Sequence, residues 1–403
     1  MPLLIDGLCE EVAARIERAR QEMRRSGYTA LIVYGNTKIN GSLRYLSGYW
    51  PDRGGWLASG PRRSDIKIFD AATLVVPLSG EPVLVLDKGQ LLDREACTKK
   101  ATMSGFGELS GLPSEARTIA KVLVDAGDAD RVGIETWDKF PAPLYLELRD
   151  ALPRTEFIPS TVVEELAILK SSWEINIFRQ AGAIGDLGHQ AFLDALHQGS
   201  GQTELELIRA SEAVMRDADP IYEECSPISP SLISSGAIGR LNLLHTPQIT
   251  KRVNTGDAIN WDIGMRYCGY PVDTSRTRVL GKPTLKQSRA YDAVLEMRSE
   301  VLGLVRPGIE VQELVEHAER VARSRGFALW DRFLGHGLGL DVHSRPDMGQ
   351  EEMTLEENMM ITIEPRIVLD GSWLFGNEDM ILVTAEGFEA FTTFPLEPLG
   401  LKL

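Results

Sequence analysis

The chain has 403 residues, of which 43% are hydrophobic and 25% charged, and it carries a net charge of −15. That length exceeds one ordinary hydrophobic core, so two domains are expected, and the composition is that of a soluble globular protein without biased tracts. The acidic balance argues against a nucleic-acid partner and against an acidic membrane surface.

The first stretch, "MPLLIDGLCEEVAARIERARQ", lacks the basic start and apolar core of a signal peptide. No run approaches the ~18 apolar residues that would span a bilayer, so no membrane association is expected. Cys9, Cys97, Cys225 and Cys268 are scattered without CxxC spacing. The expectation is therefore a cytoplasmic protein with reduced thiols, without a disulfide framework or a zinc knuckle.

In chain order, Leu8, Val12, Ile16, Ala19 and Met23 recur at helical spacing between Asp6 and Arg25, and Gly27 ends that helix. "ALIVYG" reads as a buried strand, and "TLVVPLSGEPVLVLD" (73–87) as a hairpin around a Ser-Gly-Glu-Pro turn. A helix near 114–126, the strand "RVGIE" and a helix near 142–152 complete an α/β pattern without a phosphate-binding glycine loop. From residue 160 the rhythm changes to long helices. Ser172 is a candidate cap for a helix opening at Trp173, and Thr203 with Glu206 forms a capping box. A strand-rich block follows at 258–280, then helices at about 285–305 and 310–325, then β-rich segments to the end.

Six histidines are present. His189, His197 and His317 lie in strongly helical stretches and are expected to be ordinary surface or boundary residues. His245, His336 and His343 instead sit among glycines and prolines, where the chain is shaped for something other than regular packing. Asp262 and Asp273 lie in two β-prone runs joined by a Gly-containing turn, a spacing that can bring both to one face of antiparallel strands. Glu364 follows "MMITI" and Glu378 precedes "DMILVT", again in apolar company. Each alone reads as a solvent-facing or salt-bridged residue, because charged groups are rarely buried without a partner. Together the four carboxylates and one neutral imidazole offer about −4. Two divalent cations neutralise that charge and leave room for a bridging hydroxide. Oxygen-rich ligation with a single imidazole favours Mn²⁺ first, with Co²⁺ or Zn²⁺ as alternatives. Such a pair, ~3.5–4 Å apart, makes a nucleophile from shared water and polarises the group attacked.

The order Asp262, Asp273, His336, Glu364, Glu378, in the words "GDAINWDIG", "GYPVDTSRT", "GHGLGLDVH", "ITIEP" and "NEDMILVT", resembles the metallopeptidase family of methionine aminopeptidase, aminopeptidase P and prolidase. "LRYLSGYW", "VVPLSGEPVLVLD" and "VEELAILKSSWEI" extend the resemblance over nearly the whole chain, in the manner of the prolidase, aminopeptidase P and creatinase branch. The fold this implies is an α/β N-terminal domain of creatinase/prolidase type, residues 1–163. An α+β pita-bread (creatinase/aminopeptidase-like) catalytic domain, residues 164–403, would follow it. The resemblance makes Asp262, Asp273, His336, Glu364 and Glu378 the ligands of two divalent metal ions, with Asp273 and Glu378 bridging. It also makes His343 and His245 the residues that contact substrate or relay protons. The implied activity is hydrolysis of a C–N bond in an Xaa-Pro dipeptide or short peptide by a metal-bridging hydroxide, in a homodimer.

The chain departs from the family pattern at three places. It has "VHSRP" for the usual "VHExP" and "EPRIV" for "EPGIY". Gly376 stands where an arginine usually precedes the last glutamate by two residues. Arg345 and Arg366 are therefore candidate substrate-binding residues, since a guanidinium can grip a carboxylate with two parallel hydrogen bonds. In family dimers the N-terminal domain often approaches the partner's active site. The loop "GYWPDRGGWLASGPRRSD" accordingly offers Trp56, with Trp50 and Arg53, as candidate contacts to substrate. The departures also admit a non-peptidic small-molecule hydrolase or lyase resembling ectoine hydrolase, creatinase or a dimethylsulfoniopropionate lyase. A non-catalytic binding module fits less well, because such relatives lose metal ligands and none is lost here.

Overall fold

A computed structural model describes residues 6–51, 57–58, 67–68, 71–87, 97–103, 114–218, 231–237 and 244–401. The chain divides into two compact units, Met1–Ala167 and Ile168–Leu403.

The first unit opens with α1 (Leu8–Ser26), whose buried stripe includes Leu8, Val12, Ile16, Ala19 and Met23. Then come β1 (Ala30–Asn36), α2 (Gly41–Ser47), the short pair β2 (Leu57–Ala58) and β3 (Lys67–Ile68), β4 (Ala71–Pro77), β5 (Val83–Asp87) and β6 (Lys99–Met103). The rest is α3 (Glu115–Ala126), β7 (Arg131–Glu135), α4 (Ala142–Ala151), β8 (Glu156–Ser160) and α5 (Val162–Ile168), the last of which crosses the division. The main sheet runs β6-β5-β4-β1-β7-β8. Its centre is β1, antiparallel to β4 and parallel to β7. Ala30 and Ile32 pack with Ile119 and Leu123 of α3 and Leu144 and Leu148 of α4. Leu31 and Val33 are fully buried as well, which is why this strand reads as a continuous apolar run.

One expectation is overturned in this unit: Cys9 and Cys97 form a disulfide across 88 residues of sequence. The two thiols belong to segments that spacing alone does not connect. Cys268 is buried.

The second unit begins with α6 (Ser172–Leu196) and α7 (Glu204–Asp217). The α6 cap is Ser171 rather than Ser172, closing a capping box with Glu174, and Thr203 with Glu206 forms the box on α7. Strands β9 (Leu232–Ser235), β10 (Ala258–Tyr267) and β11 (Tyr270–Leu280) follow, then α8 (Leu285–Leu302) and α9 (Val311–Ser324). The remaining strands are β12 (His336–Gly337), β13 (Ser344–Asp347), β14 (Met360–Ile363), β15 (Arg366–Leu369), β16 (Trp373–Gly376), β17 (Asp379–Thr384), β18 (Gly387–Ala390) and β19 (Gly400–Leu401). They form sheets ordered β19-β11-β10-β9 and β13-β12-β14-β17-β18, with β15-β16 as a separate hairpin. Each helix pair thus precedes an antiparallel set: α6 packs on β10 and β11, and α8 on β15 and β16. Val294 and Met297 of α8 and Leu314 and Ala318 of α9 share one core with Ile361, Ile363, Ile381 and Val383 of β14 and β17.

His189 is a second correction, because it is fully buried rather than at the surface. Its ring stacks on Phe394, meets Trp261 edge-on, and its Nε2 lies 3.2 Å from Thr274 Oγ1. Burial, aided by the Arg276 and Arg278 cations, holds its pKa well below the usual histidine range. The folded protein therefore keeps His189 neutral, while the unfolded chain takes up a proton below pH ~6.5. Stability is fully present above that pH and declines as pH falls, by at most about 1.4 kcal/mol per pH unit for one proton. We expect His189→Gln to show a shallower fall in Tm between pH 7 and pH 5 than the wild type. Parallel Tm-against-pH curves for the two proteins would refute this.

Candidate metal centre

The β10–β11 hairpin places the first two acids. Its register pairs Asp262 with Ser275 and Gly264 with Asp273. Asp262 and Asp273 are thus diagonal neighbours on one face, where a sheet holds side chains within reach of each other. The opposite position to Asp273 is a glycine, which leaves its carboxylate room.

Glu364 and Glu378 come from the other sheet by the same logic. The β14–β17 ladder ends on the pair Ile363–Asp379. One step further along that register lie Glu364 and Glu378, facing each other. Glu378 N also donates to Ser275 O at 2.9 Å, tying it to the strand position opposite Asp262. Its own carbonyl accepts from Thr274 Oγ1 at 2.8 Å and from Arg276 Nη1 at 2.7 Å. The next residue, Asp379, points the other way and binds Arg276 and Arg298. The backbone that carries Glu378 is therefore clamped on both sides.

His336 enters from β12. Its Nδ1 lies 3.0 Å from Gly337 O, so the ring donates there and turns Nε2 toward the acids. Nε2 is 3.5 Å from Asp273 Oδ2, 3.6 Å from Glu364 Oε1 and 3.9 Å from Glu378 Oε1. Donor atoms within 4.8 Å of one another group as His336, Glu364 and Glu378, as Asp262, Asp273 and Glu378, and as Asp273, His336 and His343.

The electrostatics fit a cation. Burial, and then the neighbouring Asp273 charge, push the Asp262 and Glu378 carboxyls well above their usual range. Burial disfavours a charged His336, yet its hydrogen bond to Asp273 and the Glu364 charge overcome that and lift its pKa to about 9. Glu378 Oε2 is buried and accepts no hydrogen bond among the described residues. Four crowded carboxylates and an imidazole with its second nitrogen fixed make a donor set suited to divalent ions. The cavity above it has a volume of about 260 Å³, with Leu232, Leu244, Phe333, Val342 and His343 among its walls.

Residues 176–385 match the family model of metallopeptidase family M24, and residues 15–166 that of the creatinase/prolidase N-terminal domain. This chain belongs to metallopeptidase family M24. Membership implies divalent metal ions as cofactors. The Xaa-Pro dipeptidase of Pyrococcus horikoshii is 33% identical over 233 residues, which cover 57% of this chain and 64% of that protein. The aligned part thus spans just under two thirds of that relative's length. The crystal structure of the prolidase from Pyrococcus horikoshii is similar over 95% of this chain and 99% of its own, with 25% identity and a TM-score of 0.77. That of the X-Pro aminopeptidase from Thermotoga maritima covers 96% of this chain and 99% of its own, at 22% identity and a TM-score of 0.77, a likeness of fold alone. The architecture is the two-domain pita-bread fold of this family.

Set in the family frame, the other candidate residues fall in different places. His343 lines the cavity, its ring centroid 4.2 Å from that of His336. Partial burial and the adjacent His336 hold its pKa below the usual histidine value. His245 is not among the described residues that line the cavity. Its Nε2 instead lies 2.8 Å from Glu204 Oε2, at the first turn of α7. Its neighbour Leu244 does line the cavity. Arg345 also stays off the cavity wall and pairs with Glu351. Arg366 does line the cavity, but its guanidinium binds Asp262 and Glu364. Trp56 and Arg53 lie outside the described residues, while Trp50 is buried beneath the Arg44 guanidinium.

Two groups escaped sequence reasoning. Glu204, fully buried, accepts from Ser235 Oγ at 2.6 Å and pairs with Lys251 at 3.1 Å as well as with His245. Those hydrogen bonds outweigh its burial and bring its pKa down. The neighbouring capping box of Thr203 and Glu206 marks only a helix start, and no local signal marks Glu204 as buried. The second is the Asp379–Arg276–Arg298 cluster; strict strand alternation across "NED" was the signal that could have separated Asp379 from Glu378.

Proposed function

We propose that this chain is a metal-dependent hydrolase that cleaves a C–N bond, with Xaa-Pro dipeptidase- or aminopeptidase-like action on short peptides as the leading reading. The observation that carries it is the convergence of Asp262, Asp273, His336, Glu364 and Glu378 on one cavity. The family and the names of similar proteins support the peptide bond as the target. The five residues would hold two divalent ions, Mn²⁺ first among the candidates, with Co²⁺ or Zn²⁺ as alternatives. Bound there, the ions supply a nucleophile from water at neutral pH and polarise the group under attack.

The protein's own groups do the rest. Gly337 O fixes the His336 tautomer, and the clamped Glu378 backbone holds its carboxylate in place. His343, a neutral imidazole on the cavity wall, is placed to hydrogen-bond a substrate oxygen and to carry a proton. Leu232, Leu244, Phe333 and Val342 give the cavity an apolar wall beside those groups.

A second reading has specific support. A cavity of about 260 Å³ is small beside the ~300–1,000 Å³ typical of ligand sites, and Gly376 replaces the arginine usual in the family. Both favour a compact non-peptidic substrate, in the manner of ectoine hydrolase, creatinase or a dimethylsulfoniopropionate lyase. Assaying Mn²⁺- or Co²⁺-loaded protein against X-Pro dipeptides, longer X-Pro peptides, ectoine, creatine and dimethylsulfoniopropionate decides between them. Metal-dependent release of proline supports the leading reading, and turnover of another member of the panel supports the second. Failure on the whole panel overturns both.

His343→Ala is expected to retain the ions while kcat falls about 10²-fold or more, the usual scale for losing a general acid–base group. Metal content by elemental analysis beside kcat checks this. Loss of the ions would make His343 a ligand instead.

A further inference from the structure

We infer that Arg366 is a built-in cation that splits the ligand cluster into two unequal halves. One half takes a divalent ion readily, and the other takes one only by displacing the guanidinium. This rests on the metal-binding reading above and concerns how the two ions are taken up.

Arg366 on β15 is the cross-strand partner of Gly376 on β16. A Cβ at 376 would come 2.7 Å from Arg366 Cγ, so only the absence of a side chain there lets the arginine lie across β16. Gly376 is itself fixed, its carbonyl accepting from Thr277 Oγ1 at 2.6 Å and from Asn260 Nδ2 at 3.1 Å. Through that gap Arg366 Nη2 reaches Glu364 Oε2 at 2.6 Å, Asp262 Oδ2 at 2.9 Å and Glu378 Oε2 at 3.5 Å.

The other oxygens of the same two glutamates face the imidazole. Glu364 Oε1 and Glu378 Oε1 lie 3.6 and 3.9 Å from His336 Nε2, with Asp273 Oδ2 at 3.5 Å. Each glutamate therefore divides its carboxylate, Oε2 toward the arginine and Oε1 toward the histidine. On the histidine side, His336 Nε2 groups with one oxygen each of Glu364 and Glu378, and Asp273 Oδ2 lies 3.5 Å from the same nitrogen. On the arginine side Asp262 Oδ2 and the two Oε2 atoms are engaged by a positive charge that cannot be deprotonated. A divalent ion arriving there meets like charge and must expel a buried guanidinium from three carboxylates. Arg366 thus stands in for the second ion until that ion is abundant, and it keeps the acids from repelling one another meanwhile.

The test is titration of the metal-stripped, full-length protein with Mn²⁺, followed by calorimetry and by electron paramagnetic resonance. The wild type is expected to bind one ion tightly and a second at least about tenfold more weakly, a factor of ten being 1.4 kcal/mol. Spin coupling between two ions should appear only at the higher Mn²⁺ concentrations. In Arg366→Gln, checked for native circular dichroism, the second ion should bind with affinity approaching the first. Arg366→Lys, which keeps the charge, should preserve the inequality. Two equal sites in the wild type overturn this inference while leaving the functional reading intact. An Arg366→Gln protein whose second site is unchanged does the same. Binding of neither Mn²⁺ nor Co²⁺ overturns the functional reading, and this inference with it.

Discussion

Glu378→Ala is expected to lose bound metal and turnover together, with kcat/KM falling at least about 10³-fold, or about 4 kcal/mol. Glu378 belongs to two of the three donor groups and links the histidine side to the Asp262 side. Without it, Asp262 and Asp273 are left without their common neighbour, and His336 keeps Asp273 and Glu364 beside it. The fold should survive, because the contacts that fix residue 378 use its backbone rather than its carboxylate. The metal-free variant should be no less stable than the metal-free wild type, since one of four crowded acids is gone. Elemental analysis, thermal unfolding and assay of the same preparation check this. A Glu378→Ala protein that keeps both its ions and its activity would remove Glu378 from the site.

Gly337→Ala should cost about 3 kcal/mol of stability and also weaken metal binding. A Cβ on Gly337 would lie 1.9 Å from Arg345 O and 2.4 Å from the carbonyl carbon, on the paired strand β13. These are backbone atoms, which cannot swing aside as a side chain tip can. Gly335, with φ of 151°, is equally confined, its Cβ position 2.2 Å from Thr362 O. The glycines on either side of His336 thus let three stretches of backbone close around the ring. Forcing them apart moves Nε2 away from Asp273, Glu364 and Glu378. Gly387→Ala is the control: its nearest atom would be 3.9 Å away, so its unfolding curve and metal content should match the wild type. Equal Tm and metal affinity for the Gly337→Ala protein would contradict the packing argument.

Much of this centre was legible because local rules act at short range. Asp262 and Asp273 sit on one hairpin, and a two-residue alternation places both on one face. The capping box at Thr203 and the helical stripe of α1 depend on neighbours three or four residues away. Those features follow from the order of residue types. Selection of the five candidate ligands came from their surrounding words, not from distance, since Glu364 and Glu378 meet only after β15 and β16 have turned back.

Where side chains met partners far along the chain, the residue type was misleading. His189 looked like a helix-surface residue and is core, because α6 packs against β10 and β11. Cys9 and Cys97 carried no spacing signal, since 88 residues separate them. His245 pairs with Glu204, 41 residues away, whereas Arg345 pairs with Glu351, only 6 residues on.

The sequence by itself determined the family, the candidate ligand residues and the β-hairpin that presents two of the acids, because each rests on periodicity or on contiguous motif words. Only the tertiary structure decided that Arg366 lies among those acids. That placement needs Gly376 empty on the opposing strand, Asp262 from a different sheet, and Glu364 two residues away with its Oε2 turned inward. An arginine after a glutamate ligand looked like a handle for substrate. Buried beside three carboxylates, it is bound where Coulomb attraction is strongest, inside the centre itself.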